Sequence, residues 1–293
     1  MSNERRVGVK VFQAEKSTES QLEIAALRLF EGIDRQELRS NRIFTVDDHF
    51  WINGPNGRHL CLVVQVLGLA MNYKLRGVGL DTPDLLSDLC FQAAQSLMYL
   101  HTKKICHGDF RADHMRLQLD HDAMSNVGIY DLFGKPKVWH LDDSEGEDSR
   151  PDYLVEPVNL IGLEKSFRTG KIAIDSFASS YRAATGRDNS QTRIEKAKTF
   201  VAEHNLCDQV EYVEQYDGTT KFPYRLQPGE VELLTNLLRD MLRSNPDERI
   251  SIDEVLQHKW FEASRKHLGV IYGSYTTEPM SDDAALMRSY RAR

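Results

Sequence analysis

Residues 107–114 read His-Gly-Asp-Phe-Arg-Ala-Asp-His, and residues 138–143 read Val-Trp-His-Leu-Asp-Asp. A tight loop that carries Asp109 and a short strand that leads into Asp142 would place two carboxylates at one cleft. Phosphoryl transfer requires such a pair, because one carboxylate orients the attacking hydroxyl and the other holds the magnesium that neutralises the phosphates. The alternative is that both are ordinary surface acids, as most aspartates are. The flanking sequence decides between these interpretations.

The composition is typical of a globular protein with one large domain or two smaller lobes. Of the 293 residues, 41% are hydrophobic and 28% are charged, and the formal net charge is −7. This acidity argues against direct nucleic-acid binding, and the longest apolar stretch, residues 60–71, is too short to span a membrane. The first residues lack the apolar run of a signal peptide. The four cysteines have no CxxC spacing, which predicts a reduced intracellular protein of the cytoplasm or nucleus.

Apolar periodicity predicts strands before residue 70 and helices after residue 80. A strand over residues 7–12 and a helix over 18–30 precede a hairpin over 48–67, whose turn lies at residues 54–57. Ser251 and Glu254 form a capping box. Further helices are predicted over residues 82–102, 171–185, 190–204 and 228–243. Loops and short strands are predicted over residues 103–143. This segregation indicates an α+β chain with a small mixed lobe and a larger helical lobe.

Two stretches resemble eukaryotic protein kinases. Residues 237–261 read LLRDMLRSNPDERISIDEVLQHKWF and are similar to the closing helices of that family. Residues 54–63 read GPNGRHLCLV and, with Val-Leu-Gly at 66–68, resemble the SR-protein kinase branch. The resemblance implies a protein-kinase-like bilobal fold. Its expected parts are a truncated, β-rich N-lobe over residues 1–67, a mainly helical C-lobe over 68–265 and a polar tail over 266–293.

The resemblance also implies roles around a bound ATP. Asp109 would be the base that accepts the proton of the substrate hydroxyl, and Arg111 would contact the γ-phosphate. Lys10, in Val-Gly-Val-Lys, would hold the α- and β-phosphates and be aligned by Glu23. The alternative is that the lysine is a solvated strand residue and that the glutamate belongs to an ordinary amphipathic helix face.

The adenine side of the same site is implied by three further positions. The hinge would run from Gln65 to Leu67, and Arg116 would lie beneath the adenine ring, where the family has a leucine. Residues 174–179 resemble the family's αF helix, in which Asp175 would tie down the catalytic loop.

The metal ligands implied for Mg²⁺ are Asp142, as the first residue of the Asp-Phe-Gly motif, and His114, at the position of the family's asparagine. The match departs from the family here. Asp143 stands where a phenylalanine should pack, and imidazole is a poor ligand for magnesium. A register shifted by one residue would make Asp143 the metal ligand in place of Asp142. Gly108 replaces the family's arginine, and no glycine-rich loop precedes Lys10.

Three functions follow from these observations. The first is an SR-protein-kinase-like serine/threonine kinase that uses ATP and Mg²⁺ and phosphorylates protein hydroxyls, with Arg/Ser-rich proteins as the expected substrates. The second is a pseudokinase that keeps the fold as a binding or scaffold module, because several catalytic positions are altered. The third is a small-molecule phosphotransferase of the aminoglycoside-kinase type, whose catalytic loop also contains His-Gly-Asp.

Overall fold

The structure, a computed structural model, describes residues 6–71, 83–141, 152–158, 160, 166–182, 228–243, 245 and 247–268. The chain divides into two units. The described part of the first comprises residues 6–71 and the described residues between 105 and 182. The second comprises residues 83–104 and the described residues between 228 and 268.

The first unit begins with an antiparallel sheet of three strands, in which the third strand along the chain lies between the other two. Alternating and β-branched residues form β1 (Val7–Val11), and a tight turn joins β2 (Asp48–Gly54) to β3 (Gly57–Gln65). The central strand contributes fully buried side chains, which are Leu60, Cys61 and Leu62. The predicted first strand and the predicted hairpin are therefore confirmed.

Two short helices connect β1 to β2. Helix α1 (Leu22–Leu27) continues as a 3-10 turn to Phe30, within the helix predicted over residues 18–30. Helix α2 (Arg35–Ser40) was not predicted. It begins at Asp34, whose carboxylate accepts hydrogen bonds from the first free N–H groups of the helix, so the cap was its available sequence signal.

Strands, and not only helices, follow residue 80. Antiparallel pairs join β4 (Ile105–Cys106) to β9 (Tyr181–Arg182), and β5 (Met115–Leu119) to β8 (Arg168–Ile174). A third pair joins β6 (Val138–His140) to β7 (Tyr153–Val155). Two short helices, α4 (His121–Ser125) and α5 (Ile129–Phe133), lie between β5 and β6. The short strands predicted over residues 103–143 are confirmed by β4, β5 and β6. The two short helices and the strands β7, β8 and β9 were not predicted.

The helix predicted over residues 171–185 is wrong, and so is the αF helix at residues 174–179. Residues 168–174 are β8, and only a 3-10 turn, Phe177–Ser179, follows. The end of β8 is paired on both edges, because Ile174 also exchanges backbone hydrogen bonds with Arg42 and Phe44. The helix predicted over 190–204 lies outside the described residues.

The second unit is helical. Its long helix α3 (Pro83–Thr102) confirms the prediction for residues 82–102, and α6 (Pro228–Met241) confirms that for 228–243. Two short helices follow, α7 (Ile252–Gln257) and α8 (Glu262–His267). Phe91 of α3 packs on Phe261 with ring centroids 5.3 Å apart. Among the described helices, none combines the length and the apolar character needed to cross a membrane.

The capping box at the start of α7 gives a stability prediction. The Ser251 side chain accepts from the N–H of Glu254, and the Glu254 carboxylate accepts from the N–H of Ser251. Replacing Ser251 by alanine is expected to lower the free energy of unfolding by about 1 kcal/mol, because an N-terminal donor of the helix loses its partner. Urea unfolding followed by circular dichroism measures this. Ser251→Thr retains the hydroxyl and serves as the control, and an equal loss in both variants would contradict the capping role.

Candidate active site

The lysine of β1 is paired with the glutamate of α1. Lys10 Nζ lies 2.8 Å from Glu23 Oε1, and the lysine side chain also lies over the ring of Phe12, 4.6 Å from its centroid. The glutamate side chain is 20% exposed and the lysine side chain 56%. The predicted ion pair is thus present, and it holds an ammonium group at an accessible position. The role of Lys10 in phosphate binding stays a prediction.

The loop at residues 107–114, the predicted catalytic loop, lies between β4 and β5 and begins with the buried His107. The Nδ1 atom of His107 accepts from the N–H of Asp109 at 3.3 Å, and its Nε2–H donates to the carbonyl oxygen of Asp175 at 2.9 Å. Burial lowers the pKa of His107 from its ordinary value, which favours the neutral ring that this pair of bonds requires. His107 therefore joins the catalytic-loop backbone to the residue that follows β8.

The carboxylate of Asp109 lies between two basic side chains. Its Oδ1 is 3.4 Å from Arg111 Nε and its Oδ2 is 3.5 Å from His114 Nδ1. The Asp109 side chain is 39% exposed, so its carboxylate is accessible to solvent. The same His114 nitrogen lies 2.9 Å from the carbonyl oxygen of Asp109, which places the ring proton on Nδ1.

A second carboxylate, that of Asp175, follows β8 directly. Its backbone N–H donates to the carbonyl oxygen of His114 at 3.1 Å, which continues the pairing of β8 with β5. Its Oδ2 accepts from Arg116 Nε at 2.7 Å, and its Oδ1 accepts from the hydroxyl of Ser176 at 2.9 Å. Strand pairing and His107 thus hold Asp109 and Asp175 in one structural unit. An Asp after an apolar run, Lys-Ile-Ala-Ile-Asp at residues 171–175, was the sequence signal for this arrangement.

A cluster of aromatic side chains packs against His107, the first residue of the loop at residues 107–114. Phe177 is buried and packs edge-on against Phe30, with ring centroids 5.0 Å apart, and against His107 at 4.8 Å. Phe30 lies in the 3-10 turn that continues α1. Phe177 therefore links α1, the helix that carries Glu23, to His107. Sequence reasoning did not assign this role to Phe177.

The predicted hinge residues lie at the end of β3 and in the connection that follows it. Gln65 is the last residue of β3, and the chain then pairs with β5 through the N–H of Gly68 to the carbonyl of Leu117 at 2.8 Å. Leu67 lies in this connection. The Nε2 atom of His121 is 2.8 Å from the carbonyl oxygen of Val66. The adenine contacts predicted for Gln65 and Leu67 stay predictions.

Known proteins that match part of this chain are protein kinases. No protein-family model matches it. Protein kinase dsk1 of Schizosaccharomyces pombe is 32% identical over 131 residues, and SRSF protein kinase 3 of Mus musculus is 35% identical over 99. A probable serine/threonine-protein kinase, sky1 of Dictyostelium discoideum, is 28% identical over 128. Over the matched residues, the chain is similar to these protein kinases.

The similarity covers 42%, 32% and 42% of this chain for dsk1, SRSF protein kinase 3 and sky1, respectively. The chain spans no more than 24% of the length of any of the three. These partial matches to protein kinases agree with the kinase-like motifs in the sequence and with the mixed helix and strand structure.

Asp142, the predicted metal ligand of this SR-protein-kinase-like chain, lies outside the described residues, as does Asp143. The strand that leads towards them, β6, pairs with β7, whereas the catalytic loop continues into β5, which pairs with β8. Asp175 is thus the described carboxylate that strand pairing connects to the catalytic loop.

The described donors near the loop do not match the ligand preference of Mg²⁺, the metal expected of a kinase-like site. Magnesium favours several oxygen ligands in octahedral geometry. Both oxygens of Asp175 already accept hydrogen bonds, and His114 offers an imidazole in place of an amide oxygen. In the part of the chain that the structure describes, no three His, Cys, Asp or Glu side chains are grouped to hold a metal ion. These residues do not fit Mg²⁺.

Proposed function

We propose that this chain is the serine/threonine protein kinase domain of an SR-protein-kinase-like protein and transfers the γ-phosphate of ATP to protein hydroxyls. The observation that carries the proposal is the pair of hydrogen bonds made by His107. They connect Asp109, which is accessible, to Asp175 at the end of β8. In this proposal the chain forms two lobes, residues 1–67 and 68–265, followed by a polar tail over 266–293.

In the proposed transfer, particular side chains contact the attacking hydroxyl, the phosphates and the adenine. Asp109 accepts the proton of the attacking hydroxyl as its oxygen forms a bond to the γ-phosphorus and the bond from that phosphorus to ADP breaks. Arg111, 3.4 Å from Asp109, contacts the γ-phosphate, and Lys10 contacts the α- and β-phosphates. Gln65 and Leu67 contact the adenine. No step is assigned to Mg²⁺, because the described donors do not fit it.

The proposed substrate is an Arg/Ser-rich protein inside the cell, in the cytoplasm or the nucleus. The relatives named SRSF protein kinase support this class. The net charge of −7 also suits a basic polypeptide better than a nucleic acid. Neither a membrane nor a nucleic acid is a proposed partner.

Transfer of radiolabel from ATP to an Arg-Ser repeat peptide tests this function. Label is expected in the Arg-Ser peptide and not in an Arg-Ala repeat of equal charge, because only the former carries hydroxyls. Label in an aminoglycoside instead would contradict the proposal and favour a small-molecule phosphotransferase. Absence of label with retained ATP binding would favour a pseudokinase.

A further inference from the structure

The carboxylate of Asp175, the residue that follows β8, is already paired with the guanidinium group of Arg116. Arg116, which the kinase resemblance would place beneath the adenine ring, directs its Nε to Asp175 Oδ2 at 2.7 Å. This contact is a charge-assisted hydrogen bond at short range. A divalent cation would have to displace the guanidinium, or approach it against its positive charge, to reach the same oxygen.

The position of Arg116 follows from strand register. Arg116 is the second residue of β5 and lies opposite Ala173 of β8, while its neighbour Met115 lies opposite Ile174. A long side chain at this position reaches past the end of β8 to the residue after it, which is Asp175. The small side chain of Ala173 leaves room for the arginine on that face of the strand pair.

The outer end of the same guanidinium remains available. In the described part of the chain, Arg116 makes its side-chain hydrogen bond through Nε alone, and its side chain is 38% exposed. Its two terminal nitrogens carry four N–H donors in a plane, a geometry that matches phosphate oxygens. Asp175 fixes the near side of the group, so little side-chain freedom would be lost when an anion binds to the far side.

We propose that Arg116, held by Asp175, takes the place of the divalent cation at this site, so that the chain binds ATP without Mg²⁺. The inference rests on the proposed function, since it assumes that the site is a nucleotide site. Three observations support it. The Asp175 carboxylate is already paired with a positive charge, and the described side chains do not fit Mg²⁺ as ligands. In the described part of the chain, the terminal nitrogens of Arg116 remain available to bind phosphate oxygens.

Isothermal titration of the full chain with ATP tests this, once in excess EDTA and once in excess MgCl₂. The dissociation constant is expected to agree within about twofold between the two conditions. Binding that is lost in EDTA and restored by MgCl₂ would overturn the inference and leave the proposed nucleotide site intact. If ATP binds under neither condition, the proposed function fails and the inference fails with it.

Two variants identify the residue. In EDTA, Arg116→Leu is expected to weaken ATP binding about tenfold or more, because a charge-assisted contact to phosphate is lost. Arg116→Lys keeps the charge and is expected to weaken binding less. An Arg116→Leu protein that is folded by circular dichroism and binds ATP in EDTA as the wild type does would overturn the role of Arg116. The wild-type comparison remains decisive even where the leucine variant does not fold.

Discussion

Phosphate transfer to an Arg-Ser repeat peptide is expected to fall by about 10²- to 10⁴-fold when Asp109 is replaced by asparagine. The amide has nearly the same shape as the carboxylate, but it cannot accept the proton of the attacking hydroxyl. The backbone N–H of residue 109 still donates to His107, so the loop is expected to keep its conformation. The measurement is the initial rate of label transfer at saturating peptide.

The control for this variant is an exposed aspartate of the same unit. Asp122→Asn removes one negative charge from helix α4, where the carboxylate is exposed and has no proposed role in transfer. It is expected to leave the rate unchanged. Label transfer that persists at the wild-type rate in Asp109→Asn would exclude Asp109 as the base.

Replacing Gly108 by alanine is expected to destabilise the protein by roughly 3–5 kcal/mol, at the upper end of single substitutions. The backbone of Gly108 has a φ of +79°, a conformation that side chains disfavour, and a Cβ atom there would lie 2.0 Å from the carbonyl oxygen of Ser179. The neighbouring backbone cannot give way without breaking the bond from the hydroxyl of Ser180 to the carbonyl of His107. Urea unfolding measures the loss. Gly108→Arg, the form found in the kinase family, is expected to be destabilised at least as much.

A second glycine separates the clash from the backbone strain. Gly134 has a φ of +75°, but a Cβ atom there would meet nothing within 4 Å. Gly134→Ala is therefore expected to cost only about 1 kcal/mol, the strain of the left-handed conformation. Equal destabilisation of the two variants would show that the close approach of Ser179 to Gly108 is not significant.

Local sequence patterns were sufficient where neighbouring residues determine the structure. The alternating strand at residues 7–11, the glycine turn between β2 and β3 and the capping box at Ser251 all form as expected. The Lys10–Glu23 pair also forms, because it depends on one strand and the helix that follows it. In each case the stabilising contacts lie close together in the sequence.

Strand β8 was mistaken for a helix because long-range contacts determine its conformation. Ile172, Ala173 and Ile174 are all fully buried, so the strand lacks the alternation of exposed and buried residues that identifies most strands. Its partners are β5, about fifty residues earlier, and residues 42–44. Neither partner is visible in the local pattern.

The role of Asp142 as the second acid stays a prediction, because this residue lies outside the described residues. The run Val-Trp-His-Leu-Asp-Asp at residues 138–143 has the form of a strand that ends at an aspartate. It follows Asp109 closely in the sequence. In the described residues of this run, β6 pairs with β7, whereas the loop at residues 107–114 continues into β5, which pairs with β8. The contact between Arg116 and Asp175 was also unpredictable, because it requires the register of that pair.

The central claim is that the nucleotide site is built on Asp175 and not on Asp142. ATP affinity, measured by calorimetry for Asp175→Asn and Asp142→Asn side by side, tests it most directly. We expect Asp175→Asn to weaken ATP binding about tenfold, because Arg116 loses the carboxylate that holds it in position. We expect Asp142→Asn to bind ATP within about twofold of the wild type. A loss of affinity in Asp142→Asn together with wild-type affinity in Asp175→Asn would contradict it.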